Sequence, residues 1–127
     1  MRYQNRKLRE GGLGTHSPVI LRRLLLEDNR MVMTILEAHV SKENWAALEQ
    51  AYNLGIQHRD AGLVQTFLIH SLKDNELWRI LTTWESQEAL DEMRRLGEIP
   101  RGVQIFRDAN AEPVLSVFEI AQHLALE

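Results

Sequence analysis

The sequence predicts a small α+β domain with the order β-α-β-β-α-β, the ferredoxin-like split pattern with helices on an antiparallel sheet. Three observations predict it. The chain has 127 residues, one ordinary domain by length. Apolar runs that alternate on a period of two exchange places with runs on a helical period. Serines that suit helix N-caps, Ser41 and Ser86, stand at two of the exchanges.

The first strand is read from Met31 to Val40, with Thr34, Leu36, Ala38 and Val40 on one face and Glu37 and His39 on the other. Ser41 then caps a helix, with Glu43 and Asn44 in its first turn. Trp45, Leu48, Tyr52 and Ile56 form its apolar stripe. Arg59-Asp60-Ala61-Gly62 ends it, the glycine serving as the reversal point. Leu63 to Leu72 is the second strand, with Val64, Thr66, Leu68 and His70 on one side and Leu63, Gln65, Phe67 and Ile69 on the other. Lys73-Asp74-Asn75-Glu76 turns the chain into a third strand, Leu77 to Trp84, with Trp78, Ile80, Thr82 and Trp84 sharing a face.

Ser86 caps the second helix, whose stripe is Ala89, Leu90, Met93 and Leu96. Pro100 interrupts it, and Arg101 to Asn110 adds a short helix. Pro113 opens the last strand, Val114 to Ile120. Residues 1–30 read as an N-terminal arm, with Val19 to Leu26 as either a short helix behind Ser17-Pro18 or, as preferred here, a strand and turn. Residues 121–127 read as a tail.

The strands are apolar on both faces, yet the chain has helices enough to cover only one. A second copy of the sheet would cover the other, so a homodimer is expected.

Composition narrows the function. Net charge is −3, which gives no general attraction to nucleic acid or anionic membrane, and neither partner is expected. No apolar run approaches the roughly 20 residues a membrane helix needs. The absence of cysteine excludes disulfides, thiolate metal sites and a cysteine nucleophile, and fits a cytoplasmic protein. No phosphate loop, dinucleotide fingerprint, nucleophile elbow or zinc-helix motif is present. His58, Arg59 and Asp60 are adjacent on different faces and make no metal site, so no metal is expected.

Several segments are similar to the antibiotic biosynthesis monooxygenase (ABM) domain of the dimeric α/β-barrel superfamily. They are Thr34-Ile35-Leu36-Glu37-Ala38-His39-Val40, Ala61-Gly62-Leu63-Val64, Trp78-Arg79-Ile80 and Thr82 through Leu90, with the Trp84-Glu85-Ser86 junction the most recognisable. Pro113 to Ile120 also fits, and the resemblance spans residues 31–120. It implies a dimeric α/β barrel with a pocket between sheet and helices in each subunit. It implies a small-molecule ligand and, in the cofactor-independent branch, a substrate anion that itself reacts with oxygen. Such a site supplies a dry pocket and hydrogen bonds to the developing oxyanion. The haem-degrading branch does not fit: its asparagine, tryptophan and histidine positions fall on Leu36 or Ala38, on Met93 and near Val103. No catalytic set of the family carries over residue by residue.

The resulting expectation is a monooxygenase needing no cofactor and acting on a small aromatic or quinol-like molecule. The alternatives are a non-catalytic dimeric small-molecule-binding module, or an isomerase or degrader of a small hydroxy-ketone. His70, mid-strand among apolar neighbours, is the candidate catalytic base, against a histidine satisfied by a structural hydrogen bond. Trp78, Tyr52 and Trp84 are the candidate substrate-binding residues, each weighed against simple packing.

Overall fold

A computed structural model describes residues 30–96 and 99–126. The arm over residues 1–29, including the helix-or-strand question at Val19 to Leu26, lies outside the described residues. Strand β1 is Val32–His39, helix α1 Trp45–Gly55, strands β2 and β3 Leu63–His70 and Leu77–Trp84, helix α2 Gln87–Arg95, helix α3 Arg101–Asp108 and strand β4 Val114–Glu119. The sheet is antiparallel throughout, in the order β2-β3-β1-β4, so the expected α+β ferredoxin-like fold is present.

The element boundaries follow local chemistry. Ser86 accepts a hydrogen bond from the Ala89 amide at 3.1 Å, the side-chain cap expected of it. Ser41 differs: its side chain makes no cap bond, and a 3₁₀ turn over Lys42–Asn44 precedes α1. Gly62 has φ +84°, and a Cβ there would sit 2.5 Å from the Ala89 Cβ. Only glycine fits both demands at this reversal into β2. The β2–β3 turn starts two residues before the expected tetrapeptide, at Ser71, whose hydroxyl accepts from the amides of Lys73 and Asp74 at 3.1 and 3.0 Å.

One facing differs from simple alternation. A register shift between Leu63 and Gln65 places a bulge in β2. Leu63 therefore pairs with Trp84 on the helix-covered side, while Val64 is exposed. The bulge lets Leu63 join Val32, Trp84, Leu90 and Met93 in a small core cluster. The main cluster lies further along the sheet and joins Leu36, Ala38, Leu48, Trp78, Ile80, Ile105 and Phe106. Two residues of the predicted helical stripes do not reach the core: Ile56 follows the end of α1, and Leu96 beyond α2 is exposed.

Among the described residues, helices cover one face of the sheet only. The other carries Phe67, Ile69, Val114 and Phe118, all more than 40% exposed, beside half-buried Met33, Ile35 and Leu81. Two ion pairs also lie there: Arg79 Nε donates to Glu37 Oε1 at 2.6 Å, and His39 Nε2 meets Asp74 Oδ2 at 3.2 Å.

Candidate functional site

The two core clusters are separated on the sheet by a row of hydroxyls. Cross-strand pairing sets Thr34 opposite Thr82 and Thr82 opposite Thr66, so three threonines stand side by side across β1, β3 and β2. The rows on either side are apolar: Val32, Trp84 and Leu63 on one, Leu36, Ile80 and Leu68 on the other. Valine would fill the same volume without burying a hydroxyl, whose transfer from water costs about 1–3 kcal/mol when unpaired. Packing alone thus gives no reason for a threonine row under the helices.

A cavity of about 110 Å³ lies over this row. Thr34, Thr66 and Thr82 form its floor, and Leu36, Leu63, Ile80, Trp84, Leu90, Met93 and Ile105 supply apolar walls. Tyr52 reaches in from α1. Its exposed lining, which forms the mouth, includes His58, Arg94 and Arg101. Asp60 stands among them, with Oδ1 3.7 Å from both His58 Nε2 and Arg101 Nη2. The charged lining residues of the mouth therefore comprise two guanidiniums against one carboxylate.

The hydroxyls are linked. Tyr52 Oη donates to Thr66 Oγ1 at 3.4 Å, and Thr66 Oγ1 and Thr82 Oγ1 lie 3.3 Å apart. Three hydroxyl protons serve two bonds in this chain, so whichever way the threonine bond points, one proton is left to offer to the cavity. On the other flank, Trp84 Nε1 donates to Thr34 Oγ1 at 3.3 Å, and Thr34 donates to the Thr82 carbonyl at 3.4 Å. The Trp84 N–H is thereby engaged, leaving its ring as an apolar wall.

The four residues singled out from sequence fall in two places. Tyr52 and Trp84 line the cavity. His70 and Trp78 lie at the far end of the sheet, outside the cavity lining, stacked at 3.9 Å with their planes 9° apart. Trp45 closes on both edge-on, at 4.7 and 5.9 Å between centroids. His70 Nε2 donates to the Asn75 carbonyl at 2.7 Å, bracing the β2–β3 turn. Trp78 Nε1 is buried without a hydrogen-bond partner among the described residues. Sequence reasoning missed the threonine row and the mouth residues Asp60, Arg94 and Arg101. The usable signal was hydroxyls at Thr34, Thr66 and Thr82 on helix-facing positions, but only the pairing register shows that they are neighbours.

The family is shown by comparison with known proteins. The family model described as antibiotic biosynthesis monooxygenase matches residues 31–104, more than half of the chain. The chain belongs to that family. No curated protein matches it at a significant level. Solved structures do. SnoaB, a cofactor-independent oxygenase from Streptomyces nogalater, superposes with a TM-score of 0.58 at 16% identity, over 75% of this chain and 97% of that one. Rv0793 from Mycobacterium tuberculosis gives 0.58 at 17% identity, over 75% and 99%. A conserved protein from Methanosarcina mazei gives 0.59 at 14% identity, over 75% and 97%. At these identities the likeness is one of fold.

Proposed function

We propose that the chain is a cofactor-independent monooxygenase that oxidises a small phenolic or quinol-like molecule in the cavity over the threonine row, and that it works as a homodimer. The observation that carries the reading is the Tyr52–Thr66–Thr82 hydroxyl chain, which has one proton more than its two internal bonds use and lies on the floor of a cavity with largely apolar walls. Family membership agrees with it, as does the fold likeness to SnoaB, described as a cofactor-independent oxygenase.

The chemistry asks little of the protein. An ionised phenol carries negative charge on its oxygen and on the ring carbon para to it. That carbon gives an electron pair to O₂ and forms a C–O bond, and a proton completes the hydroperoxide. Loss of the C–H proton with cleavage of the O–O bond leaves a second carbonyl and releases water. The substrate supplies every electron: phenol plus O₂ gives quinone plus water. The hydroxyl chain donates to the substrate oxygen while it is charged, which favours the ionised form. The apolar walls exclude water from the intermediate.

The homodimer rests on the helix-free face of the sheet. Phe67 and Ile69 on β2 and Val114 and Phe118 on β4 are exposed at the two edges, with half-buried Met33, Ile35 and Leu81 between them, and a second copy of the sheet would bury this face.

Oxygen uptake over a panel of para-unsubstituted phenols and of hydroquinones tests the activity. Uptake above the uncatalysed rate, with no added metal, flavin or nicotinamide, is expected for at least one member. Uptake at the uncatalysed rate for the whole panel contradicts the reading.

A further inference from the structure

We infer that the ligand is a monocyclic hydroxylated aromatic acid, bound with its hydroxyl inward on the Thr66–Thr82 pair and its carboxylate outward at Arg101. The inference rests on the cavity over the threonine row being the substrate site, and adds the substrate class.

Three features of the cavity fix the class. Its size comes first. A cavity of about 110 Å³ is of the order of the roughly 150 Å³ apolar cavity that accommodates benzene, so it takes one ring and not two or three. The walls cannot yield cheaply to a larger body. Leu90 is 1% exposed and Ile80 3%, and Leu36 is held from behind by α3, where a Cβ on Gly102 would come within 2.6 Å of its Cδ1.

The inner end comes second. The proton left over in the Tyr52–Thr66–Thr82 chain needs an acceptor; the Thr34 hydroxyl beside it is engaged with the Thr82 carbonyl and Trp84 Nε1, and the walls above the floor are hydrocarbon. A ligand oxygen supplies that acceptor; a ligand with only C–H at this end would leave the hydroxyl unpaired.

The outer end comes third. Arg101 lines the mouth beside Asp60, which approaches it only to 3.7 Å, short of a full hydrogen-bonded pair; Arg94, also at the mouth, lies 3.9 Å from Asp91. The Arg101 fork can therefore meet a ligand carboxylate in the two-bond geometry that guanidinium favours.

Calorimetric titration of the full chain with four probes tests this: 3-hydroxybenzoate, benzoate, phenol and 6-hydroxy-2-naphthoate. 3-Hydroxybenzoate is expected to bind about tenfold or more tighter than benzoate or phenol, each of which lacks one polar end. The naphthoate is expected to bind weakest among the acids. Thr82→Val should remove the preference for 3-hydroxybenzoate over benzoate, while Thr82→Ser keeps it. Arg101→Gln should weaken 3-hydroxybenzoate about tenfold and leave phenol unchanged. Circular dichroism establishes that each variant is folded. Naphthoate binding as tight as 3-hydroxybenzoate, or preferences unmoved by both variants, overturns the inference. Binding in the expected pattern without oxygen uptake upholds it and removes the oxygenase. Oxygen uptake on polycyclic quinols that falls in Thr82→Val and is unchanged in Arg101→Gln does the reverse.

Discussion

At the scale of single residues, His70 has the contacts of a brace. It stacks on Trp78, takes the edge of Trp45 and donates to the Asn75 carbonyl across the β2–β3 turn. An aromatic pair contributes about 0.5–1.5 kcal/mol and a hydrogen bond about as much again, so His70→Ala is expected to destabilise the fold by roughly 1–3 kcal/mol. Urea denaturation with an unchanged m-value measures it. An apolar setting and an imidazole were legible in the sequence, and they fit a base and a brace equally. What separates the two readings is Trp78, one strand-length of chain away, which only the β2–β3 pairing register sets against the imidazole. The threonines illustrate the converse. Thr34, Thr66 and Thr82 are unremarkable one at a time, and become a hydroxyl row only when β1, β3 and β2 align. Tyr52 and Trp84 were legible because large aromatics on a covered face have few places to go other than the space between sheet and helices.

At the scale of elements, caps and turns were largely written in local sequence. Ser86 holds the start of α2, and α2 in turn supplies Leu90 and Met93 to the cavity wall. Ser86→Ala is expected to cost about 1 kcal/mol, seen as a lower denaturation midpoint. Ser86→Asp should recover most of it, since a carboxylate caps as well and suits the helix N-terminus. The bulge in β2 was not legible. Strict alternation puts Val64 inward, and only the demand of Trp84 and Leu90 for a partner explains why Leu63 takes that place. The link from α3 to β4 is fastened by Arg107, whose Nε and Nη2 donate to the Glu112 carboxylate at 3.0 and 2.8 Å. The hydrogen bond from Arg107 holds the Glu112 carboxyl below its ordinary range. A carboxyl lowered by folding stabilises above its unfolded pKa, and the effect is lost as pH falls through the folded value. Both groups are exposed, so Glu112→Gln should lower stability slightly at pH 7 and make no difference at pH 2, as thermal melts at the two pH values would register.

At the scale of the whole molecule, the described residues leave the sheet with one covered face and one open one. Apolarity on both faces was legible in the sequence as a need for a second cover. The open face has a built polarity: the Glu37–Arg79 pair sits amid Phe67, Ile69, Leu81 and Val114. In water such a pair contributes about 0–1 kcal/mol, and once covered by a second sheet it would be costly to break. Size-exclusion chromatography with light scattering is expected to give twice the 14.7 kDa chain mass. Ile69→Glu, which sets a charge into the apolar face, should shift the chain towards monomer; a wild-type chain that elutes as a monomer at tens of micromolar would contradict the homodimer.

The proposed oxidation is assigned to the hydroxyl row under α1 and α2, away from the aromatic cluster at the far end of the sheet. The most direct test compares kcat/KM for oxygen uptake in Thr82→Val and His70→Ala on the same phenolic substrate. Loss of one hydroxyl donor is expected to lower kcat/KM about tenfold or more in Thr82→Val, while His70→Ala, measured below its melting temperature, stays within about twofold of wild type. The opposite ranking, with activity lost in His70→Ala and kept in Thr82→Val, would contradict the account.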